Sequence, residues 1–330
     1  MKSGDKEDPG RSLWPMLVLL TFALLAACAV SLFAGVADMP FRELPAGILK
    51  YRVARILLGI LAGAGLSVAG VIFQALLRNP LAEPYVLGVS SGAGLGAALA
   101  ILVGAGALGI WALPGMAFAG ALATILLVYA LARQRDGSVP VHTLLLSGVI
   151  VSAVLGSLLM FLVSVSSAHQ LHSVVWWLLG NLQIFQWDLL VAVAVVVGGG
   201  TIVTFLFSRD LNTMTLGEEP AAHLGLRVEQ TKLLFFVLGS LITGATVAAC
   251  GLIGFVGLIV PHSVRLDIGP DHRRLVPACA LVGAIFLVLA DAFARTVLAA
   301  TEIPIGVVTS FLGGPFFLYL LRRRKGAYWS

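Results

Sequence analysis

The chain is a succession of long apolar runs, each cut off by a short polar or charged loop. A helix rises ~1.5 Å per residue, so about 20 apolar residues cross the ~30 Å hydrocarbon layer of a bilayer. Such runs cover residues 13–35, 55–77, 85–106, 114–132, 141–165, 189–207, 232–249, 251–264, 275–299 and 305–321. With 59% of its residues hydrophobic and 11% charged, a chain of 330 residues has too little polar surface for a water-soluble domain. The short alternating segments of a membrane β-barrel are absent. The expectation is an all-α polytopic membrane protein of about ten transmembrane helices. The eighth run is short and glycine-rich, and is expected to fall short of a full straight crossing.

Placing the charges gives the predicted helices a direction. With the N-terminus in the cytoplasm, only Arg42, Lys50, Arg52, Arg55 and Arg295 of the 21 basic residues fall outside, as the positive-inside rule requires. Both termini are then cytoplasmic. Residues 1–12 and 322–330 are tails, 13–321 the membrane body, and about 208–231 the longest cytoplasmic loop. Runs two to five and seven to ten start in opposite directions, the geometry of an inverted repeat. Each half carries a proline-interrupted break, at Asn79-Pro80 and at Pro261-His262.

Several function classes drop out. No G-x-x-x-x-G-K-[ST] phosphate loop occurs, so the chain is not expected to hydrolyse ATP by itself, and no catalytic residue is assigned. Its basic residues sit in separate short loops rather than one stripe, which argues against nucleic acid. Cys28, Cys250 and Cys279 lie within apolar runs and do not form a metal or disulfide framework. Leu25-Ala26-Ala27-Cys28 resembles a lipoprotein cleavage site, but the apolar run continues through Phe33, so it reads as the first span. Most spans lack ionisable groups, which disfavours an ion-coupled carrier. The main exception is Asp291 with Arg295, an i, i+4 pair on one helix face.

Three segments are too specific to be membrane filler. Gln74 to Pro84 (QALLRNPLAEP) runs into Leu87-Gly88-Val89-Ser90-Ser91-Gly92-Ala93. Leu216 to Leu226 (LGEEPAAHLGL) lies in the long cytoplasmic loop. Gly254 to His262 (GFVGLIVPH) leads through Asp271-His272-Arg273 to Glu302-Ile303-Pro304-Ile305-Gly306. Together, from about Arg52 to Arg323, these resemble the FecCD-type permeases, type II ABC importers of iron–siderophore complexes, haem and cobalamin.

That resemblance implies a working unit of two permease copies, a pair of cytoplasmic ABC ATPases and a periplasmic binding protein, in the inner membrane and in contact with its lipid. ATP and Mg would be bound by the ATPase, and no cofactor by this chain. Gly217, Glu218, Ala222, Leu224 and Gly225 match the coupling helices that receive the ATPase stroke. The residues alone read as two short helical pieces broken at Gly217 and Gly225, with Met214, Leu216, Leu224 and Leu226 as apolar content. The resemblance places binding-protein docking at Arg52, Arg55 and Arg295, where snorkelling to lipid phosphate is the simpler alternative. It places the cytoplasmic gate at Val141, His142 and Thr143, and a short helix at the external mouth with His172 and Trp176. The tryptophans there also fit interfacial anchoring. An iron chelate is the expected cargo, with cobalamin the alternative.

Overall fold

The computed structural model describes residues 13–34, 45–183, 186–298 and 301–324. The predicted tail 1–12, residues 325–330 of the predicted tail 322–330, Arg42, and the predicted span ends Gly35 and Ala299 lie outside them. All regular structure among the described residues is helical. In chain order it comprises α1 (Leu13–Phe33), α2 (Ala46–Leu76), α3 (Val89–Leu102), α4 (Ala112–Ala132), α5 (Val141–Ser164), α6 (Ala168–Leu178) and α7 (Trp187–Leu206). These are followed by α8 (Ser208–Thr215), α9 (Glu218–His223), α10 (Val228–Cys250), α11 (Val256–Ile268), α12 (His272–Thr296) and α13 (Ile305–Arg324). Single 3₁₀ turns precede and follow α3.

Every predicted run contains a helix, and seven described helices are long and apolar enough to cross a membrane. The bundle is organised around α2, which packs on α12, α10, α11 and α7. In its most apolar stretch 78% of α2 is buried, against 11% for α1, so α2 is the protein-facing centre and α1 lies at the periphery of the bundle. Glycines set how closely the core helices approach. A Cβ on Gly63 of α2 would collide with the carbonyl of Gly283 on α12, and one on Gly92 of α3 with the carbonyl of Gly120 on α4. Small residues allow such backbone contact, and dispersion then supplies the association that a hydrophobic effect cannot supply in lipid.

The packing repeats across the two halves. A long α2, a break, a short α3, then α4 and α5 correspond to a long α10, a break, a short α11, then α12 and α13. The contacts pair accordingly: α2 on α12 with α10 on α4, α2 on α11 with α10 on α3, and α3 on α4 with α11 on α12. Both short helices are below crossing length: the 13 residues of α11 span about 20 Å.

Three boundaries depart from the sequence reading. The second helix begins at Ala46 rather than Arg55, so Arg52 and Arg55 sit inside it. The third run, read as one span from Tyr85, is a 3₁₀ turn followed by a 14-residue helix. The break in the second half is not at Pro261-His262 but at residues 251–255, just after α10. Pro261 lies within α11 and lacks the N–H that would bond four residues back. The carbonyl it leaves free, that of Gly257, accepts from Gln74 Nε2 at 3.2 Å instead, so the helix continues. The two breaks are joined to each other. Phe255 holds a left-handed backbone (φ 68°), unusual for a residue with a Cβ. Its N–H donates to the Glu83 carboxylate at 2.6 Å. The Tyr85 hydroxyl donates to the Ile253 carbonyl at 3.0 Å and accepts from the Ile253 N–H at 3.1 Å.

Candidate functional site

At the predicted cytoplasmic end, the long loop folds as α8 and α9. Gly217, at φ 118°, takes a backbone that L side chains avoid and turns the chain between them. After α9, Gly225 at φ 84° ends the helix, and the Leu226 N–H closes on the Ala221 carbonyl at 3.1 Å. Leu216 (62% exposed) and Leu224 (68%) point outward at the two ends of α9, while Met214 and Ala221 are buried against the bundle. The apolar knob is therefore Leu216 and Leu224. Met214, counted with it from sequence, anchors it from beneath. Glu218 and Ala222 lie on the same six-residue helix.

The predicted coupling and gate residues, 75 positions apart in the sequence, meet at one cavity. Arg78, Ser138, Pro140, Val141, His142, Gly217, Glu218 and Lys232 contribute to a space of about 490 Å³. Val141 and His142 open α5, with Pro140 as its N-cap. Val141 is buried, Thr143 half-buried and His142 exposed. The turn before them is closed by Asp136, which accepts from the Ser138 hydroxyl at 2.7 Å and the Ser138 N–H at 2.9 Å. Those two bonds hold the Asp136 carboxyl below its usual range.

Lys232 was read only as a basic residue at the start of a span. It is buried, and its ammonium lies 3.0 Å from Glu218 Oε2 and 2.6 Å from Glu229 Oε1, and donates to the Val139 carbonyl at 3.0 Å. Glu229 in turn accepts from the Val139 N–H at 3.1 Å. The i, i+3 spacing of Glu229 and Lys232 is the one local signal of this arrangement.

At the predicted external end, Arg52, Arg55 and Arg295 are 7%, 4% and 4% exposed. Their cations are turned inward. Arg55 bonds Asp291 through Nη2 at 2.8 Å and Nε at 3.0 Å, and Glu302 through Nη1 at 2.8 Å. Arg295 Nε lies 3.0 Å from the other Asp291 oxygen, while its Nη2 donates to the Ser31 hydroxyl at 2.7 Å. Arg52 Nη1 donates to the Leu32 carbonyl at 2.8 Å. The predicted intrahelical pair Asp291–Arg295 is present, but Asp291 is shared with Arg55. A change of Arg55 to Glu would set carboxylates together in a buried site and disturb the fold itself, so charge reversal there cannot isolate an effect on docking. Glu302, with a side chain 34% exposed, is the open member of the cluster.

The residues predicted at the external mouth, His172 and Trp176, lie apart from that cluster on α6. Ser167 and Gln170 make a reciprocal cap at its start. His172 and Trp176 stack with ring centroids 5.6 Å apart and are exposed, whereas Trp177 is buried. The turn after α6 ties three elements together: Asn181 N–H donates to the Cys250 carbonyl at 2.8 Å, and Gly306 N–H to the Leu179 carbonyl at 3.1 Å. Among the described residues, no three His, Cys, Asp or Glu side chains come together as a metal site.

Comparison with known proteins agrees with this architecture. A model of the FecCD transport family matches residues 16–323. The cobalamin import system permease protein BtuC of Halobacterium salinarum is 46% identical over 274 residues, 83% of this chain and 73% of that protein. The hemin transport system permease protein HmuU of Yersinia pestis is 41% identical over 84% of this chain and 83% of its own length. A solved structure of a metal-chelate type ABC transporter in an inward-facing conformation superposes with a TM-score of 0.85 at 32% identity, covering 94% of this chain and 99% of that one.

Proposed function

The chain belongs to the FecCD transport family and is a multi-pass membrane transport component; on that premise we propose that it is the permease subunit of a binding-protein-dependent ABC importer. It carries an iron chelate, siderophore or haem, inward across the bacterial inner membrane. Both termini are cytoplasmic, with the tails and membrane body bounded as the sequence reading has them. A second copy, two ABC ATPases that hold the ATP and Mg, and a periplasmic binding protein complete the machine. The observation that carries this reading is the α8–α9 knob, whose exposed Leu216 and Leu224 flank two carboxylates beside a cavity. Apolar side chains at a water-facing helix turn have reason to be there if a partner covers them. The energy source is thus another chain, and the stroke enters at α9.

The cargo path lies between the two copies, with Val141, His142 and Thr143 at its inner gate and His172 and Trp176 at its outer mouth. The binding protein docks over the Arg52–Arg55–Arg295 corner, where Glu302 is the exposed group a partner would meet first. Cobalamin is the second reading, favoured by the 46% identity to a cobalamin permease. Reconstitution with the partner ATPase and binding protein decides between them. ATP-dependent uptake of a radio-iron chelate, with cyanocobalamin neither imported nor competing, is the expected result; the reverse preference selects cobalamin.

A further inference from the structure

The buried lysine at the base of the coupling loop makes one covalently unlinked unit out of three elements. A Lys ammonium has three donors and no acceptor. In Lys232 they meet Glu218 on α9, Glu229 on α10, and the carbonyl of Val139 in the linker ahead of α5. Glu229 takes the other backbone group of the same residue, the Val139 N–H. Residue 139 is therefore gripped at both its N–H and its C=O by one turn of α10. Val139 itself is buried, and Pro140 after it has no N–H and a fixed φ, so the grip passes stiffly into the first turn of α5. That turn carries Val141, His142 and Thr143. The ammonium that fixes it is the same one that holds the first residue of α9.

The geometry points to Lys232, with Glu218 and Glu229, as the transmission joint between the ATPase-facing helix α9 and the start of α5: a set of positioning residues that converts displacement of α9 into displacement of the gate. The inference rests on the importer reading given above. Burial supports a mechanical rather than ornamental role. The Lys232 side chain is 7% exposed, while Glu218 and Glu229 are 35% and 42% exposed. The cation stays in place, and the carboxylate from α9 is the arm that water can reach and replace. The cavity of about 490 Å³ beside the joint leaves room for α9 to shift against α5.

The test separates the joint from the importer reading. Spin labels are placed at Leu146 on α5 and His223 on α9, both exposed, in the full-length chain with its three cysteines replaced, reconstituted in lipid nanodiscs. The native joint gives one narrow distance distribution, which Lys232→Met and Glu218→Gln broaden and Lys232→Arg keeps narrow. In proteoliposomes holding the permease with its ATPase and binding protein, chelate uptake per ATP hydrolysed falls about tenfold for Lys232→Met and less for Glu218→Gln, a range typical of coupling between sites. ATP hydrolysis continues, and Lys232→Arg recovers most of the loss. Unchanged distances, or broadened distances with unchanged uptake per ATP, overturn the joint. A native complex that takes up chelate without any ATP requirement overturns the importer reading instead, and the label distances still decide whether the joint exists. Should Lys232→Met fail to accumulate, Glu218→Gln, which retains the cation and its grip on Val139, carries both measurements.

Discussion

The two ends of the bundle use the same chemistry, ion pairs between distant helices, to opposite effect. At the predicted external end, Asp291 is 3% exposed and lies between Arg55 and Arg295, each 5% exposed or less, with hydrogen bonds to α1 completing the shell. At the predicted cytoplasmic end, one buried Lys232 meets two carboxylates that are more than a third exposed. Removing one partner from a buried pair leaves an uncompensated charge, which is costly, whereas a pair open to water exchanges its partner for solvent at little cost. The first arrangement is a fixture that locks α1, α2 and α12. The second is a joint. Burial of the carboxylate, not the number of ion pairs, separates them.

Several changes would break or sharpen that contrast. The largest effect is expected from Asp291→Ala, which leaves the buried Arg295 without a carboxylate and Arg55 with Glu302 alone, and should cost about 3–5 kcal/mol. Thermal unfolding in detergent and the amount of chain inserted in membranes would show it, and near-native stability would erase the distinction between the two ends. Lys232→Met should cost less, about 1–2 kcal/mol, because the carboxylates it releases can hydrate; its main effect is on coupling. Glu302→Gln removes only the exposed member of the external cluster and should change stability by no more than ~1 kcal/mol. If docking uses that corner, the affinity of the binding protein shifts while the melting temperature does not. The smallest effect is that of salt. Raising ionic strength weakens pairs open to solvent more than buried ones. The Leu146–His223 label distribution should therefore broaden at high salt, while a label pair spanning α2 and α12 stays as it was.

Where the sequence was legible, the physics was local. Unbroken apolar runs marked a helix in each place, and the glycines at 217 and 225 marked both turns of the cytoplasmic knob, because positive φ there demands them. The repeat was visible in direction but misplaced in detail. Pro261 reads as a breaker, yet Gln74, 183 positions away, takes up the carbonyl it frees. The real break, Gly251 to Phe255, hides in an apolar string (GLIGF) with no polar or proline marker. The short α3 was hidden in a similar way, since the 3₁₀ turn directly before it, Pro84–Leu87, is apolar and merges with the helix into one run. The ion pairs show the same limit. Asp291–Arg295 and Glu229–Lys232 could be seen at helical spacing, but Arg55–Asp291 spans 236 positions and nothing local announces it. The burial that turns Arg52, Arg55 and Arg295 inward is a property of packing alone. Likewise, no pattern in the residues could show that the segments at 138–142 and 216–220 share a cavity.

The account stands on motion entering at α9 from an ATP-driven partner. Its most direct test is uptake into proteoliposomes containing the chain with and without its ATPase, at fixed external chelate and binding protein. The account predicts uptake that requires the ATPase and internal or external ATP on the ATPase side, and none from the chain alone. Uptake by the chain alone, driven by a proton or sodium gradient and indifferent to ATP, would contradict it.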